Sequence, residues 1–239
     1  MNDYYTDLIR MKPINCDGLI IYPVSFGEIC DNVGLENFDK LLMPFLITKE
    51  CLGVDDEEKL DTIDLFENVI MNDRAMLHSV AIIFEIFCKA KDILRTQTEI
   101  ILKFEGKDDF IVNKDNFEKI SQVIGKINGK DKIKVEKPPK NMSDRQRDVW
   151  EKLQAGRKKE NEKNAVHIYD ILNICEFGGN YHIPIEEIEK WTLWKITNCY
   201  KARVNMKTYD DSLKICLVSG DGKSISDKNH WHSRLMVRD

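Results

Sequence analysis

The sequence predicts an α+β fold, with a mixed α/β N-terminal domain that contains a short sheet and a mainly helical C-terminal domain. Short apolar runs near residues 19–24, 99–104 and 110–112 are typical of strands. Several longer stretches repeat apolar residues at spacings of three and four, which is the period of a helix. Between the two halves, residues 129–142 combine many charges and a proline pair with little apolar periodicity, as in a linker. We therefore expect domains at 1–128 and 143–239, joined by a linker at 129–142.

The first elements follow from apolar spacing and proline positions. Leu19–Val24 is a short apolar run that predicts an edge or terminal strand ending at Tyr22 or Pro23. Apolar residues from Leu35 to Ile47 predict a helix that bends or ends near Pro44. Thr62, together with Asp61, is expected to cap a helix over 63–71.

The remaining N-terminal elements centre on one strongly apolar helix. Residues 74–91 are apolar nearly all round, which predicts a helix at the centre of the domain. Residues 99–104 and 110–112 flank a polar, glycine-containing turn and predict a β-hairpin. Asn113 or Asp115 is expected to cap a helix over 117–127.

Three helices are predicted after the linker. Ser143 is expected to cap a charged helix over 144–163, whose narrow apolar stripe is Val149, Trp150 and Leu153. A second helix, 166–177, ends at a Gly-Gly pair, and Pro184 opens a third helix that reaches about residue 204. Beyond it, 213–218 and 231–237 are apolar enough to dock as separate pieces, and 219–227 is expected to form a loop.

Composition narrows the class of protein. With 42% hydrophobic and 32% charged residues in 239, the chain is neither disordered nor of low complexity. We find no run of apolar residues long enough to cross a bilayer and no secretory signal, so we expect a protein that works inside a cell. Seven cysteines without a CxxC pair indicate reduced thiols, several of them buried as small hydrophobic groups.

Charge is distributed unevenly along the chain. Residues 1–75 contain sixteen acidic and six basic residues, whereas residues 126–163 contain thirteen basic and seven acidic ones. Such opposite charges favour attraction between the two parts, or between copies in an oligomer.

No motif supports an enzyme, a cofactor or a metal site. The segment 220–224 resembles a fragment of a phosphate-binding loop but lacks the first glycine at the required distance. His230 and His232 lack a third metal ligand at suitable spacing. We therefore predict a protein that is not an enzyme and has no cofactor.

The helix at 144–163 raises the possibility of nucleic-acid binding. Its basic residues are positioned to engage phosphates, and Trp150 offers a ring for base stacking. Interleaved acids, among them Asp148 four residues before Lys152, and a sequence pI near 5.7 favour a solvated helix instead. Nucleic acid is thus the less favoured partner.

An aromatic cluster offers a protein-binding surface. Trp191 and Trp194 lie three residues apart on one side of the third helix, with Tyr200 further along it. These rings either fill the core or line a groove that receives an apolar helix from a partner.

The C-terminal part resembles a known family. The order Asn-Met-Ser-Asp-Arg-Gln-Arg-Asp-Val-Trp-Glu-Lys-Leu-Gln-Ala-Gly-Arg from residue 141, His-Ile-Tyr-Asp-Ile-Leu-Asn-Ile from 167, the Gly-Gly turn and Ile-Pro-Ile-Glu-Glu-Ile-Glu-Lys-Trp-Thr from 183 resembles tail assembly chaperone proteins of phages that infect Gram-positive bacteria. The resemblance covers about the last hundred residues. The N-terminal half resembles that group in plan only, with an early strand, the 41–45 segment and compact helices.

This resemblance implies a non-enzymatic protein in the cytoplasm of the infected bacterial host. Its client would be the long, apolar, helical tape measure protein, which it would shield while tail tube subunits and other tail proteins assemble. The residues implied in contact with the client are Trp191, Trp194 and Tyr200, with Trp150 and Leu153 joining helices or copies of the chain.

Two alternatives remain open. One is a structural tail or baseplate component of the virion. The other is a nucleic-acid-associated phage protein that uses the basic 145–163 helix.

Overall fold

The fold combines helices with two small antiparallel sheets in this computed structural model, which describes residues 5–53, 57–139, 142–179 and 181–219. The α+β class predicted from the sequence is confirmed. The labelled helices are α1 Tyr5–Ile9, α2 Phe26–Asn32, α3 Leu35–Leu46, α4 Glu57–Thr62, α5 Arg74–Cys88, α6 Lys114–Ile127, α7 Asp144–Lys163, α8 Ile168–Phe177, α9 Ile185–Ile188 and α10 Leu193–Ser219. The strands are β1 Ile14–Cys16, β2 Leu19–Ile21, β3 Asp92–Arg95, β4 Ile100–Lys103 and β5 Phe110–Val112.

The first sheet is a tight hairpin of β1 and β2. Ile14 pairs with Ile21 and Cys16 with Leu19, so all four side chains enter the core. The turn places Asp17 at φ 50 and Gly18 at φ 98, because a two-residue hairpin turn of this hand needs positive φ at both central positions. The strand predicted from Leu19 is thus present as β2. Its partner, β1, was not predicted from the sequence.

The second sheet has the order β3-β4-β5. β4 and β5 form the hairpin predicted at 99–104 and 110–112, with Ile100 opposite Val112. The strand β3, which the sequence analysis did not predict, pairs with the other edge of β4.

Helices α3 and α5 form the centre of the core. Phe45 meets Phe84 edge to face at 5.7 Å between ring centroids, and Phe38 stacks on Phe87 at 6.2 Å. Val80, Ile83, Phe84 and Phe87 are fully buried, as expected for a helix that is apolar nearly all round. The central position predicted for this helix is confirmed.

The cap predicted for α7 is confirmed, and of the two caps predicted for the helix over 117–127 Asn113 is the one present, so that α6 begins at Lys114 and not at residue 117. Asn113 accepts a hydrogen bond from the Asp115 amide and caps α6. Ser143 forms a capping box with Gln146 at the start of α7.

The prediction for residues 61–71 is wrong. Thr62 ends α4 instead of starting a helix, and its hydroxyl donates to the Lys59 carbonyl. Asp64 caps the next segment, a π-helical turn at Leu65–Val69 that is followed by a 3-10 turn at Ile70–Asn72.

The third C-terminal helix is also different from its prediction. Pro184 caps a single short turn, α9, and a separate long helix, α10, begins at Leu193. Residues 213–218 continue α10, and Ile215, Leu217 and Val218 are exposed, so the prediction of a separate docked piece there is wrong. Ser219, the first residue of the loop predicted at 219–227, still belongs to α10. The rest of that loop, the piece at 231–237 and the motifs at 220–224 and 230–232 lie outside the described residues.

Residues 130–139 form no helix or strand, but their first part is fixed to the N-terminal region. The Ile133 amide donates to the Leu46 carbonyl at 2.8 Å, and the Thr48 hydroxyl donates to the Ile133 carbonyl at 3.1 Å. Lys132 pairs with Glu118 at 2.9 Å.

The segment around α9 joins the C-terminal part to α2. The Phe26 amide donates to the Trp191 carbonyl at 2.7 Å, and the Gly27 amide donates to the Glu189 carbonyl at 2.9 Å. A Cβ atom at Gly27 would lie only 3.3 Å from that carbonyl oxygen, so glycine permits the close approach. Ile188, Trp194 and Ile196 belong to the same buried cluster as the N-terminal core. The division into domains at 129–142 stays a prediction.

Among the described residues, no helix combines the length and the apolar character needed to span a membrane.

Candidate functional site

Trp194 lies in the core at the beginning of α10. Only 8% of its surface is exposed, and Leu193 and Ile196 beside it are buried too. Its backbone also packs closely on the N-terminal part, since a Cβ at Gly129 would lie 3.4 Å from the Trp194 Cα. A partner therefore reaches this ring only if the surrounding residues move.

Trp191 lies at the edge of the core and is half-buried. Its indole N–H donates to Glu187 Oε1 at 3.4 Å, and Lys195 Nζ lies 4.5 Å from the ring centroid. Hydrogen bonds from Lys190 and then from Trp191 lower the pKa of the Glu187 carboxyl. Tyr200, further along α10, is half-buried against the same cluster.

Trp150 and Leu153 lie on α7, apart in the sequence from this aromatic group. No side chain of α7 is buried over its 20 residues. Leu153 is 58% exposed and Val149 53% exposed, while Trp150 is half-buried. Of the five residues predicted to bind partners, Leu153 is thus the most accessible and Trp194 the least.

Contacts between α7 and the rest of the chain are polar where the structure records them. Gln154 donates to Glu136 Oε2 at 2.5 Å, and Arg157 pairs with the same carboxylate at 3.2 Å. The ion pair expected between Asp148 and Lys152 is not among those of the described residues. Exposed surface pairs of this kind contribute ~1 kcal/mol or less, so they hold α7 weakly.

Several apolar side chains are exposed that were not predicted to be so from the sequence. Tyr169 is 74% exposed and Phe177 64% exposed on α8, and Tyr181 just after it is 82% exposed. At the end of α10, Leu217 is 75% exposed and Val218 91% exposed. For α8 the sequence does indicate exposed apolar side chains, because this helix has more apolar residues than fit on one buried face.

A cavity of about 320 Å³ lies beside the π-helical turn of residues 65–69. Its apolar walls come from Ile47, Leu65, Phe66 and Phe117. The lysines at its rim already have partners: Lys114 pairs with Glu67, Lys132 with Glu118, and Lys49 donates to the Asp61 carbonyl. These three lysines are therefore engaged within the chain.

Metal chemistry finds no support in the described part of the chain. No group of three or more His, Cys, Asp and Glu side chains is placed there to hold a metal ion.

Comparisons with known proteins give no relative. The sequence matches no family profile, no curated protein and no solved structure.

Proposed function

We propose that this chain is a non-enzymatic, phage tail assembly chaperone-like protein that binds and shields the tape measure protein in the cytoplasm of the infected host. The client and the setting come from the resemblance of residues 141 onward to such chaperones. The observation that carries the binding role is the exposure of apolar side chains on α7, on α8 and at the end of α10.

The contrast between the two ends of the chain supports this role. Residues from α3 to α6 bury Phe38, Phe45, Phe84 and Phe87 completely, so this sequence can form an ordinary packed core. Of the fifteen large hydrophobic residues that are exposed in the described part of the chain, ten lie after residue 140, and eight of these are on α7, α8 and α10. Exposed apolar groups that are concentrated in this way are typical of surfaces that bind other proteins.

Helix α7 is the part best suited to a helical client. Its apolar stripe, Val149, Trp150 and Leu153, occupies one side of an otherwise charged helix. An apolar helix from a client that packs along this stripe would bury side chains that the chain itself leaves in water. The charged sides keep the free protein soluble and leave the stripe available.

The five residues predicted at the interface take different parts in this proposal. Leu153 and Trp150 contact the client directly or join copies of the chain, because they lie on the stripe. Trp191 and Tyr200 contribute their exposed edges. Trp194 supports the interface from the core, where it anchors the start of α10.

Nucleic acid is the second candidate, since α7 also presents Arg145, Arg147 and Lys158 to solvent. Binding of this kind would depend steeply on salt, because each phosphate contact releases a counterion. A structural role in the tail or baseplate is the third candidate and requires the protein in finished particles, from which a chaperone is absent.

The test is a nuclease-treated pull-down of tagged protein from phage-producing cells, with bound proteins quantified by mass spectrometry. For the double variant Val149→Ser with Leu153→Ser, we expect the amount of captured tape measure protein to fall by on the order of tenfold or more. The reason is that two apolar side chains are no longer buried against the client. The matched control is Glu151→Ser with Lys158→Ser, which alters the opposite side of α7 at constant net charge.

The control should capture as much client as the unchanged protein. Equal capture by both double variants would contradict a role for the α7 stripe. A parallel pull-down without nuclease that recovers nucleic acid and no tape measure protein would favour the second candidate.

A further inference from the structure

Two cysteines meet where α8 packs on α10. Cys175, on α8, is fully buried, and its thiol donates to the Ile196 carbonyl on α10 at 3.4 Å. Cys199 lies one turn after Ile196 and is only partly buried. The Cys175 thiol meets α10 at the carbonyl one turn before Cys199, which places it beside the Cys199 side chain. Solvent thus has access to one member of a pair whose other member is enclosed.

A fixed positive charge lies beside this pair. The Arg203 guanidinium donates to the Ile174 carbonyl at 3.1 Å and to the Tyr181 carbonyl at 3.2 Å. These bonds hold it over the C-terminal end of α8, one turn after Cys199. Gly179 leaves room for it, since a Cβ there would lie 3.0 Å from the guanidinium carbon.

This environment shifts the pKa values of the two thiols in opposite directions. A hydrogen bond that the Cys175 thiol donates to the Cys199 thiolate, in place of the one to the Ile196 carbonyl, lowers the pKa of Cys199, and the charge of Arg203 lowers it further against the opposing effect of burial. The same hydrogen bond, together with burial, raises the pKa of Cys175. A thiolate is the reactive form of cysteine, and neighbouring cations favour it.

We propose that Cys199 is a nucleophilic, oxidant-sensitive thiolate and that Cys175 is its resolving thiol, so that the pair forms a reversible disulfide between α8 and α10. The oxidant is a peroxide. The site is independent of the binding role proposed above.

The chemistry balances with hydrogen peroxide. The Cys199 thiolate attacks one peroxide oxygen, the O–O bond breaks, and a sulfenic acid forms while the released hydroxide takes a proton to become water. Cys175 then loses its proton and attacks the Cys199 sulfur. The S–O bond breaks, the S–S bond forms, and a second water leaves. Sulfur is oxidised and peroxide is reduced, and a dithiol reductant reverses the disulfide.

Cys88 and Cys30 lack this setting. Burial raises the pKa of Cys88 to about 12. Cys30 is exposed, but burial of part of the side chain and the nearby Asp31 and Glu189 carboxylates raise its pKa. Cys30 is therefore an internal control for accessibility without activation.

The first test measures the rate at which iodoacetamide alkylates each cysteine of the full chain, by peptide mass spectrometry between pH 5 and pH 9. At neutral pH we expect Cys199 to react at least about tenfold faster than Cys30. As the pH rises, the rate at Cys199 should reach its plateau at a lower pH than the rate at Cys30 does. Equal rates and equal pH profiles at the two cysteines would overturn the proposal.

The second test treats the reduced chain with hydrogen peroxide and maps the product by mass spectrometry. We expect a disulfide that joins the Cys175 and Cys199 peptides and disappears with dithiothreitol. In Cys175→Ala, a dimedone-trapped sulfenic acid should accumulate at Cys199 instead. The proposal is contradicted if the wild-type protein forms no such disulfide or is oxidised first at Cys30.

Discussion

Trp194 is the residue at which the core and the proposed interface meet. It exposes 8% of its surface, whereas the aromatic Tyr169 on α8 exposes 74%. We expect Trp194→Ala to lower the free energy of unfolding by ~3–5 kcal/mol, because it leaves a cavity in packed surroundings. Tyr169→Ala is the matched control and should change it by about 0.5 kcal/mol or less. Urea denaturation followed by circular dichroism measures both.

The same pair of variants separates core from groove. If Trp194→Ala is as stable as Tyr169→Ala and yet loses the client, the ring lies in a binding groove and not in the core. Spacing alone left this question open, because a helical period places residues on one face without saying what covers that face.

Capping residues show how far sequence reasoning reaches at single positions. Ser143 was identified because it directly precedes its helix and offers a side-chain acceptor to the first free amides, whereas Asn113 was one of two candidates, with Asp115 the other. Thr62 offers the same chemistry, but its hydroxyl turns back to the Lys59 carbonyl at the end of α4. The actual cap, Asp64, is two residues later and starts a π-helical turn, which has no simple sequence period.

Elements with a continuous apolar signal were predictable, and those without one were not. α3 and α5 agree with their predictions because several apolar residues define each helical period. β4 and β5 are as short as β1 and β3, but they are almost wholly apolar and flank a polar turn, whereas Ile-Asn-Cys in β1 and Asp-Ile-Leu-Arg in β3 interrupt the apolar run with polar residues. Their partners in the folded chain specify them instead.

The length of α10 was missed for a different reason. Residues 207–212 are polar and interrupt the apolar period, so the sequence suggested that the helix ends before them. They contain neither glycine nor proline, and Lys207 pairs with Asp211 at 2.9 Å across one turn. Local pairs of this kind support a helix that tertiary contacts do not require.

At the scale of the whole molecule, the relation between the two predicted domains is testable by limited proteolysis. Residues 134–139, of which Lys134, Glu136 and Lys137 are charged, lie after the attachment of Ile133 and form no helix or strand, so we expect a protease to cleave there. The bonds from Phe26 and Gly27 to the α9 segment should then keep the fragments together on a sizing column. Fragments that elute separately in native buffer would instead support two independent domains.

The site was less predictable from sequence than the fold. The sequence identified the apolar stripe of α7, since one narrow stripe on a charged helix is visible in the spacing. It did not identify the exposure of Tyr169, Phe177 and Leu217, which depends on how α8 and α10 pack. Nor did it identify the meeting of Cys175 and Cys199, which lie 24 positions apart on two helices.

Client shielding is the central claim, and co-expression tests it most directly. The tape measure protein is produced alone, with this chain, or with the Val149→Ser and Leu153→Ser variant, and its soluble fraction is measured after nuclease treatment. We predict that the tape measure protein is soluble and co-purifies only with the unchanged chain, at low and high salt alike, because apolar contacts are not screened. A tape measure protein that aggregates equally in all three cases would contradict the account.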